Sequence, residues 1–344
     1  MAGGSACPTW DSVEWLSMVH LALSRILVVR LGAMGDIIHT LPAVASLKHS
    51  FPGSRVTWIV EPQWAPLLES NPFIDRLVLL HRDTPAGLFR SWRALRAEGY
   101  DLAIDFQGLM KSALSASAAN PDRIFGFHHT QLRERAAALF YSDKTLSQAV
   151  HVVDRNLDLA AAAGAASALR SFPLPPGCPE GDLPAGDFVL ACPLAGWRAK
   201  QWPGERYGVL AERLRRELRI PLVVNGPPGS SFPQAGNALP HWSGLPGLID
   251  ATRRAAAVLG VDSGPLHLAA ALGKPGVAIF GPTDPARNGP YCDSLKVLRA
   301  PSAATTYKRG ASIDESMKRI SAGEVFETLR LVLGERRHPA GCLV

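Results

Sequence analysis

From residue 25 onward, short aliphatic and β-branched runs alternate with stretches whose apolar positions recur at helical spacing. The run RILVVRL opens the series. Its lack of polar alternation marks a strand covered on both faces. A helix over 36–49 is expected next, then the strands RVTWIV (55–60) and RLVLLH (76–81). A helix near 87–97, the strand DLAIDF (101–106), a helix near 110–118 and the strand RIFGF (123–127) continue the pattern. Alanine-rich helices are expected at 132–140 and 149–163. Alternation of this kind predicts a parallel sheet with helices on both faces.

The segment SFPLPPGCPEGDLPAG (171–186) holds five prolines and three glycines, the composition of a linker. The alternation then restarts. FVLACPL (188–194), PLVVNG (221–226) and GVAIFG (276–281) read as strands, and AAAVLGVD (255–262) as a passage from helix to strand. In GERYGVLAERLRRELR, Tyr207, Leu210, Leu214 and Leu218 share one helical face. A last helix is expected at 323–333. The organisation read from this is an N-terminal extension (1–24), an α/β domain (25–172) and a linker (173–186). A second α/β domain (187–322) and a C-terminal helix and tail (323–344) complete it. Open sheets bind ligands at the carboxyl ends of their strands, so the expected site is the cleft between the two halves.

Composition adds bounds. The chain has 344 residues, 47% hydrophobic and 19% charged, enough for two cores. A net charge of +6 without a Lys/Arg block suits an anionic substrate, a phosphorylated lipid surface or nucleic acid, and selects none of them. Five scattered cysteines without C-x-x-C spacing argue against a disulfide framework or a zinc site and fit a reducing compartment. No apolar run approaches the length of a bilayer span. Asp11 and Glu14 interrupt the first 24 residues, which are expected to be an extension and not a signal peptide.

The first chemistry lies in RLGAMGDIIHT (30–40), directly after the opening strand. A dinucleotide fingerprint would be G-x-G-x-x-G. Here Gly32 and Gly35 are followed at once by Asp36, a carboxylate where a phosphate would be cradled. As a helix cap, Asp36 would be stabilised by roughly 0.3–1 kcal/mol. In a cleft, it would repel phosphate and favour a hydroxyl whose proton it could accept as general base. Gln107 and Lys111, in DFQGLMKSA, lie just past another strand end and face the same cleft. Arg82, Arg90, Arg133 and Arg135 are further cations of this half.

The second half supplies an anion site. In VDSGPLHLAAALGKP (261–275), Ser263 is expected to cap, Gly264 to permit tight geometry and Pro265 to open the helix. The exposed N–H groups form an anion cradle without a lysine, and His267 in the first turn can reach a phosphate oxygen. In FGPTDPARNGP (280–290), Thr283 and Asp284 are placed to cap. Lys200 and Arg198, in CPLAGWRAKQWP (192–203), are placed to neutralise a diphosphate, and Trp197 and Trp202 to pack a base or anchor the loop. There is no D-x-D and no His/Cys metal spacing, so no metal is called for.

Taken together, RLGAMGDIIHTLPAV, DLAIDFQGLMKS, GFHHTQLRERAAALFY, AGWRAKQWP and GVDSGPLHLAAALGKPGVAIFGPTDP resemble bacterial lipopolysaccharide (ADP-heptose) heptosyltransferases of glycosyltransferase family 9, in the same order. The resemblance is strongest to the heptosyltransferase I branch and covers about 25–335. It implies a GT-B fold, two Rossmann-like domains facing each other across a central cleft, with no cofactor and no metal. It implies inverting transfer of L-glycero-D-manno-heptose from ADP-heptose to Kdo of the lipid A inner core. It places a monomer in the cytoplasm, peripheral on the inner face of the plasma membrane, with no nucleic-acid partner. By the same resemblance Asp36 is the catalytic base. Lys200, Asp262, Ser263, Gly264 and His267 then bind the donor, and Arg133 and Glu134 the acceptor. The reading of the residues themselves adds Thr283 and the Ala195–Gly196 turn on the donor side and Gly35, Arg82, Gln107 and Lys111 on the acceptor side.

Two departures stand out. Ala195 and Gly196 replace the family's Thr or Ser ahead of the donor lysine, and 227–247 lacks a carboxylate suited to a ribose. Three alternatives compete. One is heptosyltransferase II, or a relative using another nucleotide sugar. Another is a Rossmann oxidoreductase with Glu61 on the ribose, for which the glycine pattern fails. The third is a non-catalytic nucleotide-sugar binder, against which Asp36 and Lys200 speak.

Overall fold

The computed structural model describes residues 25–231, 236–306 and 309–337. The extension 1–24 and the tail 338–344 lie outside the described residues. The first sheet contains β1 (Arg25–Val29), β2 (Arg55–Val60), β3 (Arg76–Leu79), β4 (Leu102–Asp105), β5 (Arg123–Phe127) and β6 (Asp143–Thr145). The second contains β7 (Val189–Cys192), β8 (Leu222–Gly226), β9 (Leu239–Trp242), β10 (Ala257–Val261), β11 (Gly276–Phe280) and β12 (Leu295–Arg299). The orders are β3-β2-β1-β4-β5-β6 and β12-β11-β10-β7-β8-β9, and every strand pair is parallel. Read from β9, the second sheet repeats the doubly wound order of the first.

In such a sheet the connections leave in opposite directions on either side of the central pair, which opens a crevice at the carboxyl ends of those two strands. The pairs here are β1/β4 and β7/β10, each in register over four residues. Asp36 follows β1, Gln107 and Lys111 follow β4, Lys200 follows β7, and Asp262 to His267 follow β10. The strands that lead to these loops are deeply buried. From Ile26 to Val29 and from Val258 to Val261 almost nothing reaches solvent.

The expected helix 36–49 is two helices, α1 (Met34–Ile38) and α2 (Leu41–Ser50). The break falls at His39–Thr40, where Pro42 lies in the first turn of α2 and has no N–H to continue α1. Three further helices of this half are α3 (Pro85–Arg96), α4 (Met110–Ala118) and α5 (Val152–Ala162). The helix expected at 132–140 is a 3-10 turn over Arg135–Phe140, with Ala137 and Ala138 buried and Leu139 turned outward.

In the second half, α6 (Gly204–Arg213) continues as one π turn, Leu214–Leu218, and stops at Arg219, which is left-handed (φ 60°). The expected passage at 255–262 is strand β10 alone. The helix before it is α7 (Leu245–Arg254), followed later by α8 (Gly264–Ala271), α9 (Pro285–Asn288), α10 (Glu315–Arg319) and α11 (Ala322–Arg337). The last of these packs on α6, β10 and β11, with Arg213 over the Phe326 ring at 3.8 Å.

The proline-rich stretch is tied to both halves near its start. Asn71 Nδ2 donates to Pro173 O (2.9 Å) in the first half, and Arg253 NH2 donates to Leu174 O (2.8 Å) in the second. Glu180 accepts from Gly244 N (2.6 Å) and Gly247 N (3.1 Å), so it caps α7 from the linker.

Candidate active site between the two sheets

The loop from β1 to α1 is shaped by close approach. A Cβ on Gly32 would lie 2.8 Å from Trp64 Nε1, and one on Gly35 would lie 2.5 Å from His267 Cδ2 of the other half. Asp36 follows in the first turn of α1, with its side chain about two-fifths exposed. Its Oδ1 lies 2.8 Å from Arg30 NH2, and its Oδ2 accepts from Ala33 N at 3.3 Å. The Arg30 guanidinium is buried and also donates to Phe106 O. Asp36 is therefore both an N-terminal partner of α1 and the partner of a buried cation that aims it into the cleft. The sequence reading missed Arg30, because a cation at a strand end carries no motif of its own.

Glu61 joins the cations of this half. Arg82 Nε (2.9 Å) and Lys111 Nζ (3.0 Å) both reach its Oε1. Gln107 Oε1 accepts from Leu31 N (2.8 Å) and braces the Asp36 loop against the loop after β4. That second loop is organised by buried Asp105. Its Oδ1 takes Gln107 N (2.9 Å) and Gly108 N (3.2 Å), and its Oδ2 takes Tyr141 OH (2.7 Å) and Ser112 Oγ (2.8 Å). Burial pushes the Asp105 carboxyl up in spite of these four donors. Glu134 Oε2 accepts from Met110 N (2.7 Å) at the start of α4. Arg133 stands exposed, 3.6 Å from Glu134 Oε1.

Across the cleft, Lys200 Nζ lies 2.6 Å from Asp262 Oδ2 and 4.4 Å from the centre of the Trp197 ring. His267 Nε2 is 3.6 Å from Asp262 Oδ1. Burial alone would raise the Asp262 carboxyl, but His267 and Lys200 outweigh it and hold Asp262 far below the usual carboxylate range. Trp202 is an anchor, buried with its Nε1 donating to Ile320 O (2.8 Å).

Ser263 precedes α8 but makes no side-chain cap, contrary to the sequence expectation. Asp284 caps α9 through Ala286 N (3.0 Å), whereas Thr283 does not. Ser263 Oγ, Thr283 Oγ1 and His267 Nδ1 are all buried without a hydrogen-bond partner among the described residues. Each such group costs roughly 1–3 kcal/mol unless a ligand satisfies it, and all three belong to the loops expected to hold the donor. Ala195 packs against the second core, and a Cβ on Gly196 would meet nothing within 4 Å.

Beside these loops lies a mainly apolar cavity of about 240 Å³, between Met34 and Trp64 of the first half and Leu194, Asn225, Ser243 and Leu245 of the second. No carboxylate lines it among the described residues. Asn225 Nδ2 donates to Ser243 Oγ (2.8 Å). Cys192 also lines it, and burial pushes its thiol up to about 12, which leaves it unreactive.

The two halves touch where the loops meet. A Cβ on Gly264 would lie 2.7 Å from Met34 Sδ. The His39 and His267 rings stand 4.3 Å apart, edge to face, and His39 and His151 stand 5.7 Å apart. Burial first, then His267, His151 and Arg30, push the His39 imidazole well below its ordinary value. A carboxylate on one helix start and an anion cradle on the facing one are thus neighbours. This is the arrangement for taking a proton from one molecule while charge leaves on another. Among the described residues no group of three or more His, Cys, Asp or Glu could hold a metal ion, and no helix is long and apolar enough to cross a membrane.

Comparison with known proteins identifies the family. Residues 88–315 match glycosyltransferase family 9 (heptosyltransferase). Lipopolysaccharide heptosyltransferase 1 of Escherichia coli K12 is 30% identical over 321 residues, covering 80% of this chain and 94% of the relative. The protein of the same name from Pseudomonas aeruginosa is 30% identical over 295 residues, covering 78% of this chain and 81% of the relative. The solved structure of E. coli heptosyltransferase WaaC with ADP superposes with a TM-score of 0.73 at 26% identity, covering 90% of this chain and 99% of that one. By fold and by sequence, the chain belongs to glycosyltransferase family 9, the heptosyltransferases.

Proposed function

We propose that this protein moves L-glycero-D-manno-heptose from ADP-heptose to a Kdo hydroxyl of the lipid A inner core. The reaction inverts the anomeric carbon and needs no metal. It takes place at the cytoplasmic face of the inner membrane, with the protein peripheral and monomeric. The observation that carries this reading is the opposition of Asp36, aimed by buried Arg30, to the Asp262–His267 loop across the Gly35 contact.

The acceptor oxygen attacks the anomeric carbon as its proton passes to the Asp36 carboxylate. The bond from that carbon to the ADP oxygen breaks in the same displacement, so the new bond forms on the opposite face. ADP leaves with the electron pair. The Lys200 ammonium and the free N–H groups at the start of α8 receive its charge, the task a divalent ion would otherwise serve. The unpaired Ser263, Thr283 and His267 atoms bond the diphosphate, and the apolar cavity beside Met34 and Leu245 takes the base. Arg82, Lys111 and Arg133 hold the carboxylate and phosphates of the acceptor.

A second reading has two observations in its favour. Among the described residues the proposed nucleotide cavity has no carboxylate for the ribose, and Ala195–Gly196 offers no hydroxyl, which fits a related transferase with another nucleotide sugar. Thermal shift with ADP, GDP and UDP separates the two, since the true leaving nucleotide raises the melting temperature. For the reaction itself, de-acylated Kdo-lipid A is incubated with ADP-heptose and read by mass spectrometry. The native chain adds one heptose; Asp36→Asn loses ~10²–10⁴-fold in rate while its ADP shift persists. An equally active Asn variant removes Asp36 from the base role. Addition only to an already heptosylated acceptor makes the chain a heptosyltransferase II.

A further inference from the structure

Helix α3 carries an outward stripe that its own half leaves uncovered. Its inner face is Gly87, Ser91 and Leu95, all buried. Its outer face, at i, i+3, i+4 and i+7, is Phe89, Trp92, Arg93 and Arg96, which with Ala118 of α4 line a groove of about 410 Å³. Phe89 is 66% exposed, whereas Trp92 is half-buried against the core, its indole N–H enclosed without an acceptor among the described residues. Beside the groove, Leu114 of α4 and Leu139 of the adjoining 3-10 turn also point outward. Among the described residues Arg90, Arg93 and Arg96 make no ion pair with a carboxylate. Arginines in the last turn complement the helix dipole, but that does not account for the exposed Phe89 one turn before them.

The geometry points to this face of α3 and α4 as the surface by which the protein docks on an anionic lipid bilayer. The exposed Phe89 ring enters the headgroup layer while arginines meet lipid phosphates, the combination that holds peripheral proteins reversibly. The inference rests on the proposed membrane-borne acceptor and names where that membrane lies. Helix α3 begins three residues after Arg82, one of the acceptor cations, at the β3 edge of the first sheet. It then runs away from the cleft for about 18 Å over its twelve residues. A bilayer on this face keeps acyl chains outside while the sugar end of the acceptor reaches Asp36. A second copy of the chain is the poorer occupant, because a two-fold contact would set these arginines against their own copies.

The test is co-sedimentation of the full chain, without substrate, with phosphatidylcholine vesicles that contain or lack phosphatidylglycerol. The native protein binds the anionic vesicles and is released by salt. The variant Phe89→Ser/Arg93→Gln/Arg96→Gln binds roughly tenfold less or weaker still. Its heptose transfer to soluble de-acylated acceptor stays native, which also shows that it folds. Native-like vesicle binding by the variant overturns the proposal, as does no binding by the native chain. A native dimer that the same substitutions dissociate, read by sedimentation velocity, overturns it in favour of self-association. Because vesicle binding is read without substrate, a chain that binds vesicles but fails to transfer heptose refutes the proposed reaction and leaves the docking surface standing.

Discussion

Asp36 illustrates how a residue's chemistry is decided by a neighbour that no motif marks. The G-D turn marks it in sequence, but its partner Arg30 is a strand-end cation whose side chain turns back under the loop to meet it. Arg30→Gln leaves the carboxylate in place without its orienting contact. We expect kcat to fall roughly 10²-fold with KM for ADP-heptose nearly unchanged, and Arg30→Lys to recover part of the rate. Loss of KM alone in steady-state kinetics would assign Arg30 to binding instead. Lys200 presents the converse case. It was legible as a donor cation, but only the fold shows that it neutralises buried Asp262. Lys200→Met strands that carboxylate, and urea denaturation should register a loss of about 3 kcal/mol. Lys200→Met/Asp262→Asn should regain most of the stability and none of the transfer. Stability left unrecovered by the double variant would place the cost of Lys200→Met elsewhere than the ion pair.

At the scale of elements, legibility followed burial. Central strands such as RILVV and the strand within AAAVLGVD read as near-continuous apolar runs because both faces are covered. The edge strands β9 (LPHW) and β12 (LKVLR) carry proline, charge or polar residues and went unrecognised, since an edge needs pairing on one side only. Helix α7 was missed for a related reason. Its N-terminus, Gly244–Leu245–Pro246–Gly247, has no capping side chain of its own and borrows Glu180 from the linker. Glu180→Ala should cost about 1–2 kcal/mol of stability, read as a lower urea midpoint with an unchanged slope. A midpoint equal to native would mean that water replaces the cap. Gly35→Ala places a methyl 2.5 Å from the His267 ring. Transfer should fall sharply while the urea midpoint moves little, because the clash lies between the halves and not inside either core; full activity would mean the halves part without penalty.

For the whole molecule, the contact of the two halves is a cluster of histidines, and its pH dependence has a definite sign. Burial lowers the folded values of both His39 and His151 below 6.5. Protons therefore bind the unfolded chain more readily. The stability these groups contribute is fully present above 6.5 and is lost as pH falls through their folded values. The melting temperature should drop on acidification below about 6.5, and His39→Asn should flatten that drop; an unchanged slope would exclude His39 as its source. The chain's own pattern determined the two parallel α/β halves and the turn residues at the ends of β1 and β10, because strand burial and turn geometry act over a few neighbouring residues. Only the tertiary structure decided that Arg30 holds Asp36, that Glu61 gathers Arg82 and Lys111, and that His267 faces Gly35. Those partners are tens to hundreds of residues apart or turned by the pleat of a strand. The first two sets meet once the first sheet has ordered, and His267 meets Gly35 only when the two crevices are set face to face.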